Sequence, residues 1–114
     1  MSRVKYKVKQ IDWDLIPNFD NRASVEFDDY MKIKSGVFQK DLGVSKLIDL
    51  VKNRNEWYEV CEGYINGYSL WNAYQEGNIG ERTFKGASIS TGDILIDEDN
   101  QEWLLTDQDF ELVA

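Results

Sequence analysis

Eight carboxylates lie between Asp93 and Glu111, and no lysine or arginine follows Lys85. A carboxylate can exchange a proton, ligate a hard cation, or accept hydrogen bonds from lysine and arginine. Each of these chemistries makes its own demand on spacing. The stretch DEDNQEWLLTDQ, residues 97–108, opens as a calcium loop does, with Asp97, Asp99 and Gln101 at alternate positions. An EF-hand also needs glycine at the sixth place and a bidentate glutamate at the twelfth. Glu102 and Gln108 stand there instead. Turn chemistry accounts for these acids, and no metal or other cofactor is expected.

Acid–base catalysis by a carboxylate pair has candidates in Glu26 with Asp28 and in Glu59 with Glu102. With 21 carboxylates in 114 residues, such pairs arise by coincidence. The chain has no histidine, which removes Ser-His-Asp and Cys-His catalysis and histidine-ligated zinc. Cys61 is the only cysteine, so neither an intrachain disulfide nor a cysteine-rich zinc site can form. It lies in the alternating stretch WYEVCEG and reads as a small packed side chain. In SISTGDIL a lone Gly92 precedes Asp93. That lacks the glycine spacing of a phosphate loop and reads as a backbone requirement ahead of a strand. No catalytic residue is assigned, and the chain is not expected to be an enzyme.

The remaining chemistry is attraction of cations. The net charge is −8 and is unevenly spread: residues 1–54 carry 11 cations and 8 anions, and residues 55–114 carry 2 cations and 13 anions. Such a surface repels phosphate and favours basic partners over nucleic acid itself.

The elements that must position these acids follow from periodicity. RVKYKVK, residues 3–9, alternates Val4, Tyr6 and Val8 with Arg3, Lys5, Lys7 and Lys9, which predicts a half-solvated strand suited to an edge. Pro17 ends that pattern and NFDNR reads as loop. SVEFDDYMKIK, residues 24–34, predicts a strand with a bulge at Asp28-Asp29, followed by a Ser35-Gly36 turn. Residues 45–53 predict a helix capped by Ser45, with Leu47, Ile48 and Val51 on one face. A strand over 57–62, a turn at Asn66-Gly67 and a short helix after Ser69 ending at Gly77 come next. DILID and QEWLLTD form a hairpin over 93–106, and DFELV a terminal strand. The core is predicted at Val4, Tyr6, Phe27, Leu47, Val51, Val60, Ile94, Ile96 and Leu104. The fold class is α+β: one domain over 1–114, with two short helices on a small antiparallel sheet. No apolar run reaches the roughly 18 residues needed to span a bilayer, so a cytoplasmic protein without membrane contact is expected.

Over residues 58–113 the chain resembles the YodL-like domain of mobile elements in Gram-positive bacteria. The residues that carry the resemblance are Phe84, Gly86, Ser88, Ile89, Ser90, Gly92, Asp93 and Ile94, with Asp109, Phe110, Glu111 and Leu112 at the end. Ala87 and Asp109 depart from the family's histidine and glycine. The resemblance implies a phage or mobile-element accessory protein and no catalytic residues. The expected function is inhibition of a host defence nuclease, of restriction or CRISPR type, by occupying its basic nucleic-acid-binding cleft. The expected contact residues are Asp93, Asp97, Glu98, Asp99, Glu102, Asp107, Asp109 and Glu111, with Trp71 and Tyr74 beside them. Four of these, Asp97, Glu98, Asp99 and Glu102, are read as exposed charges replaceable without harm to the fold. The alternative is a structural or regulatory interaction module that binds through its aromatic surface.

Overall fold

The computed structural model describes residues 2–35, 43–79, 83–107 and 109–114. The alternation at the N-terminus forms β1 (Val4–Ile11), but not at an edge. β1 pairs antiparallel with β6 (Ile94–Ile96) through Lys7–Lys9, with β2 (Tyr58–Val60) at its end and with β4 (Ile65–Gly67) at its start. The sheet continues from β6 into β7 (Glu102–Leu105) and β8 (Phe110–Leu112), giving the order β2-β1-β6-β7-β8. β3 (Glu62–Gly63) and β5 (Phe84–Lys85) form a separate pair. The lysine alternation suggested an edge because the partner that neutralises Lys9 is remote in sequence. Lys9 is 9% exposed, and its ammonium donates to Asn55 Oδ1 at 2.7 Å and to Glu102 Oε1 at 2.8 Å.

Three α-helices stand among the described residues: α1 (Val25–Lys34), α2 (Val44–Asn53) and α3 (Leu70–Asn78). α1 corrects the expected strand. Its apolar residues are scattered, and only Ile33 is buried, so periodicity was a poor guide. The polar residues specify the helix instead. Ser24 Oγ accepts from the Phe27 N–H at 3.1 Å, Glu26 and Asp28 occupy the first turn, and Lys32 pairs with Asp28 at 3.0 Å. Ser24→Ala should therefore lower stability by about 0.5–2 kcal/mol. Equilibrium unfolding by denaturant checks this, and an unchanged midpoint would show the cap to be dispensable.

α2 appears where it was expected, but Ser45 does not cap it. The cap is Gly43, at φ 81°, with no side-chain bond. Ser69 does cap α3, accepting from the Asn72 N–H at 3.1 Å. Gly77 does not end that helix; it lies inside it, where a Cβ would stand 2.7 Å from Ile89 Cδ1. Asn66-Gly67 is not a turn either. Both residues pair with β1, and a Cβ on Gly67 would lie 2.8 Å from the Ala73 nitrogen, so glycine lets α3 approach β4. Gly36 of the expected turn lies outside the described residues.

The sheet is covered on both faces. Tyr6, Val8, Ile65, Ala73, Leu95, Leu105 and Phe110 form one cluster under α3. Ile33, Leu47, Val51, Trp57, Ile94, Leu104 and Val113 form the other, under α1 and α2. Of the expected core, Tyr6, Leu47, Val51, Ile94 and Leu104 are buried, and Val4, Phe27 and Ile96 are half-buried. Val60 is the exception at 52% exposure, because it lies on the outer strand β2. The architecture is α+β.

Candidate functional site

The hairpin acids do not form a single face. Asp97 closes the β6–β7 turn: its Oδ1 accepts from the Asp99 and Gln101 N–H groups at 2.9 Å, and its Oδ2 from Trp103 Nε1 at 2.9 Å. Glu102 neutralises Lys9, and Asp93 is buried. These three carboxylates hold the fold together, which corrects the reading of Asp97 and Glu102 as replaceable surface charge. Glu98 and Asp99 are exposed at one end of β7, and Asp107 and Asp109 at the other. Glu111 lies half-buried on β8 between them. Trp71 is 43% exposed and meets Tyr74 and Phe110 edge-on, with centroids 5.8 and 5.0 Å away, which anchors it to the α3 side of the core.

A second group of carboxylates lies elsewhere. Where β1 ends, the chain turns into a one-turn 3-10 helix, Trp13–Leu15, capped by Asp12, whose Oδ1 accepts from the Asp14 N–H at 3.0 Å. That turn, the β2–β3 segment and Lys85-Gly86 border a groove of about 500 Å³ lined by Asp12, Asp14, Glu59 and Glu62. Among the described residues, Lys85 is the only cation in the lining. Its 3.7 Å pair with Glu62 leaves both side chains about 80% exposed, so the two neutralise each other weakly. Trp13 stands at the rim, 60% exposed, stacked on Phe19 and donating from Nε1 to Tyr30 Oη at 3.1 Å. An indole held this way offers a cation its ring at small entropic cost. Sequence reasoning passed over this site because its acids come from two distant segments. The usable signal was Trp13 between two aspartates, immediately before the proline break.

Beside the groove, sharing Gln10, Ile11 and Trp13, lies a cavity of about 200 Å³ around Asp93. Asp93 Oδ2 accepts from the Ser90 N–H at 2.9 Å and from Gln10 Nε2 at 3.1 Å, and its Oδ1 accepts from Lys34 Nζ at 3.3 Å. Lys34 Nζ also donates to Ser90 Oγ at 3.0 Å. A serine–lysine contact can be a nucleophile with its base, but only if the amine is neutral. Here the ammonium is held by the Asp93 carboxylate and has no lone pair to take the serine proton. Burial pushes the Cys61 thiol up, and the charges of Asp93 and Glu59 act the same way, so it stays protonated.

The two carboxylate pairs considered for catalysis do not form. Glu26 accepts from Asn18 Nδ2 while Asp28 holds Lys32; Glu59 lines the groove while Glu102 holds Lys9. Among the described residues there is no cluster of three or more metal-ligating side chains, and no helix is long and apolar enough to cross a membrane. No family model, curated protein or solved structure matches the chain.

Proposed function

We propose that this protein is a non-enzymatic acidic binding protein that occupies a basic, nucleic-acid-binding surface of another protein. The groove carries this reading: four carboxylates, one weakly held lysine and an exposed tryptophan gather on one stretch of surface. Carboxylates on fixed backbone take the place of phosphates for an arginine-rich cleft, and their summed field speeds association. The resemblance to a mobile-element domain suggests a host defence nuclease, of restriction or CRISPR type, as the partner. The exposed acids Glu98, Asp99, Asp107 and Asp109 add to the field. The exposure of Trp71 favours a second reading, in which an aromatic contact on α3 does the binding and charge contributes little.

The test is competition with duplex DNA for such a nuclease. Neutralising Asp14, Glu59 and Glu62 together, with Asp12 left as the cap, should slow association about tenfold or more at low salt and remove the competition. The folding free energy should stay nearly the same, since exposed charges contribute little to it. Association that is equally fast in low and high salt would reject the charge-led reading and leave Trp71→Ala as the next variant.

A further inference from the structure

The groove borders an unpaired strand edge, and together they specify the shape of the ligand. Cys61 N–H donates to Val8 O at 2.7 Å and Asp12 N–H donates to Trp57 O at 2.9 Å. These bonds make Lys9–Val60 and Ile11–Tyr58 the non-hydrogen-bonded pairs of the β1–β2 ladder. The backbone groups of Tyr58 and Val60 therefore point away from β1. Tyr58 N–H donates to Asn55 O, whereas Val60 faces outward beside its half-exposed side chain. Among the described residues no strand pairs with β2 on that side. At the opposite edge of the sheet, Phe110 N–H, which points outward from β8, is taken by Asp109 Oδ1 at 2.8 Å.

We propose that the edge of β2 accepts an extended, lysine- or arginine-rich segment of a partner as an added strand, whose cationic side chains enter the acidic groove. The inference rests on the acidic-groove reading above and names the form of its ligand. Charge identifies the occupant. Glu59 lies within β2, Glu62 follows three residues later and Asp14 lines the same groove. A second copy of this chain pairing through β2 would set these acids against themselves, and like charges across a ladder repel. A strand bearing a cation at every second position reverses the sign. Its cations, roughly 7 Å apart on one face, then lie on the side of Glu59, with Trp13 to cover one of them.

The probe is a ten-residue peptide alternating lysine with threonine, measured by calorimetry and by amide exchange at low salt. With the lysines toward Glu59, the threonines fall opposite Val60 and exchange backbone hydrogen bonds with it. Methylating the threonine nitrogens keeps every charge and removes that pairing. Val60→Pro removes the outward N–H from this side and leaves the β1 ladder intact, a place where an edge strand tolerates proline. The parent peptide should bind and slow exchange at Val60, and each change should weaken binding roughly five- to tenfold. The Asp14→Asn, Glu59→Gln, Glu62→Gln variant should lose binding altogether. A methylated peptide that binds as tightly as its parent would overturn strand addition and leave the acidic groove standing. Undiminished binding by the neutralised variant, or no binding of the parent peptide to wild type, would overturn both. Should Val60→Pro fail to fold, the methylated peptide decides alone.

Discussion

Alanine at Ile94 and alanine at Leu95 should each destabilise the protein by about 2–5 kcal/mol, although the two side chains point to opposite faces of β6. In a sheet with one solvated face, one of two neighbouring residues is cheap to truncate, within about 0.5 kcal/mol. Here Ile94 is 1% exposed within the cluster under α1 and α2, and Leu95 is 0% exposed within the cluster under α3. Each truncation opens a cavity in a separate core, so the effects should also add in the double variant to within about 0.5 kcal/mol. Denaturant midpoints at unchanged slope measure this. A small cost at Leu95 would mean that α3 does not cover the sheet.

What the sequence disclosed about this fold depended on how far away each residue's partner lies. The β6–β7 hairpin and the caps of α1 and α3 are local: Ser24 and Ser69 each bond three residues on. The hairpin and the Ser69 cap were legible; the Ser24 cap was obscured by an apolar alternation that looked like a strand. β1 was legible as a strand but not as the middle of a sheet, because Glu102 meets Lys9 from 93 positions away. The same distance hid the division of labour among the acids. Asp93, Asp97 and Glu102 read like their exposed neighbours in composition, and only their contacts show them to be structural. The groove was illegible for the same reason, since Asp14 and Glu59 become neighbours only when β2 pairs with the end of β1.

Asp93→Asn should destabilise the protein by roughly 2–4 kcal/mol, a large loss for an isosteric change of one atom. The carboxylate is 3% exposed and faces donors on both oxygens: Lys34 on one, Gln10 and the Ser90 N–H on the other. An asparagine must turn its NH₂ toward one set or the other, leaving donors of a part-buried network opposed in either orientation. The damage should reach the groove, because Gln10 also holds Ala87 through the bonds Gln10 Nε2 to Ala87 O at 2.9 Å and Ala87 N to Gln10 Oε1 at 3.1 Å. The pH dependence separates the charge from the shape. Burial pushes the Asp93 carboxyl above the ordinary aspartate range, with Lys34, the Ser90 N–H and Gln10 pulling it back only in part. The folded state then binds more protons than the unfolded one between the ordinary and the raised value, so this group's contribution to stability grows as pH falls through that window. The asparagine variant lacks the group. The gap between wild type and variant should therefore widen as pH falls from neutral through the raised value, and level off below the ordinary one. A gap that narrows on acidification would mean that the donors outweigh burial and hold the carboxyl below its ordinary range.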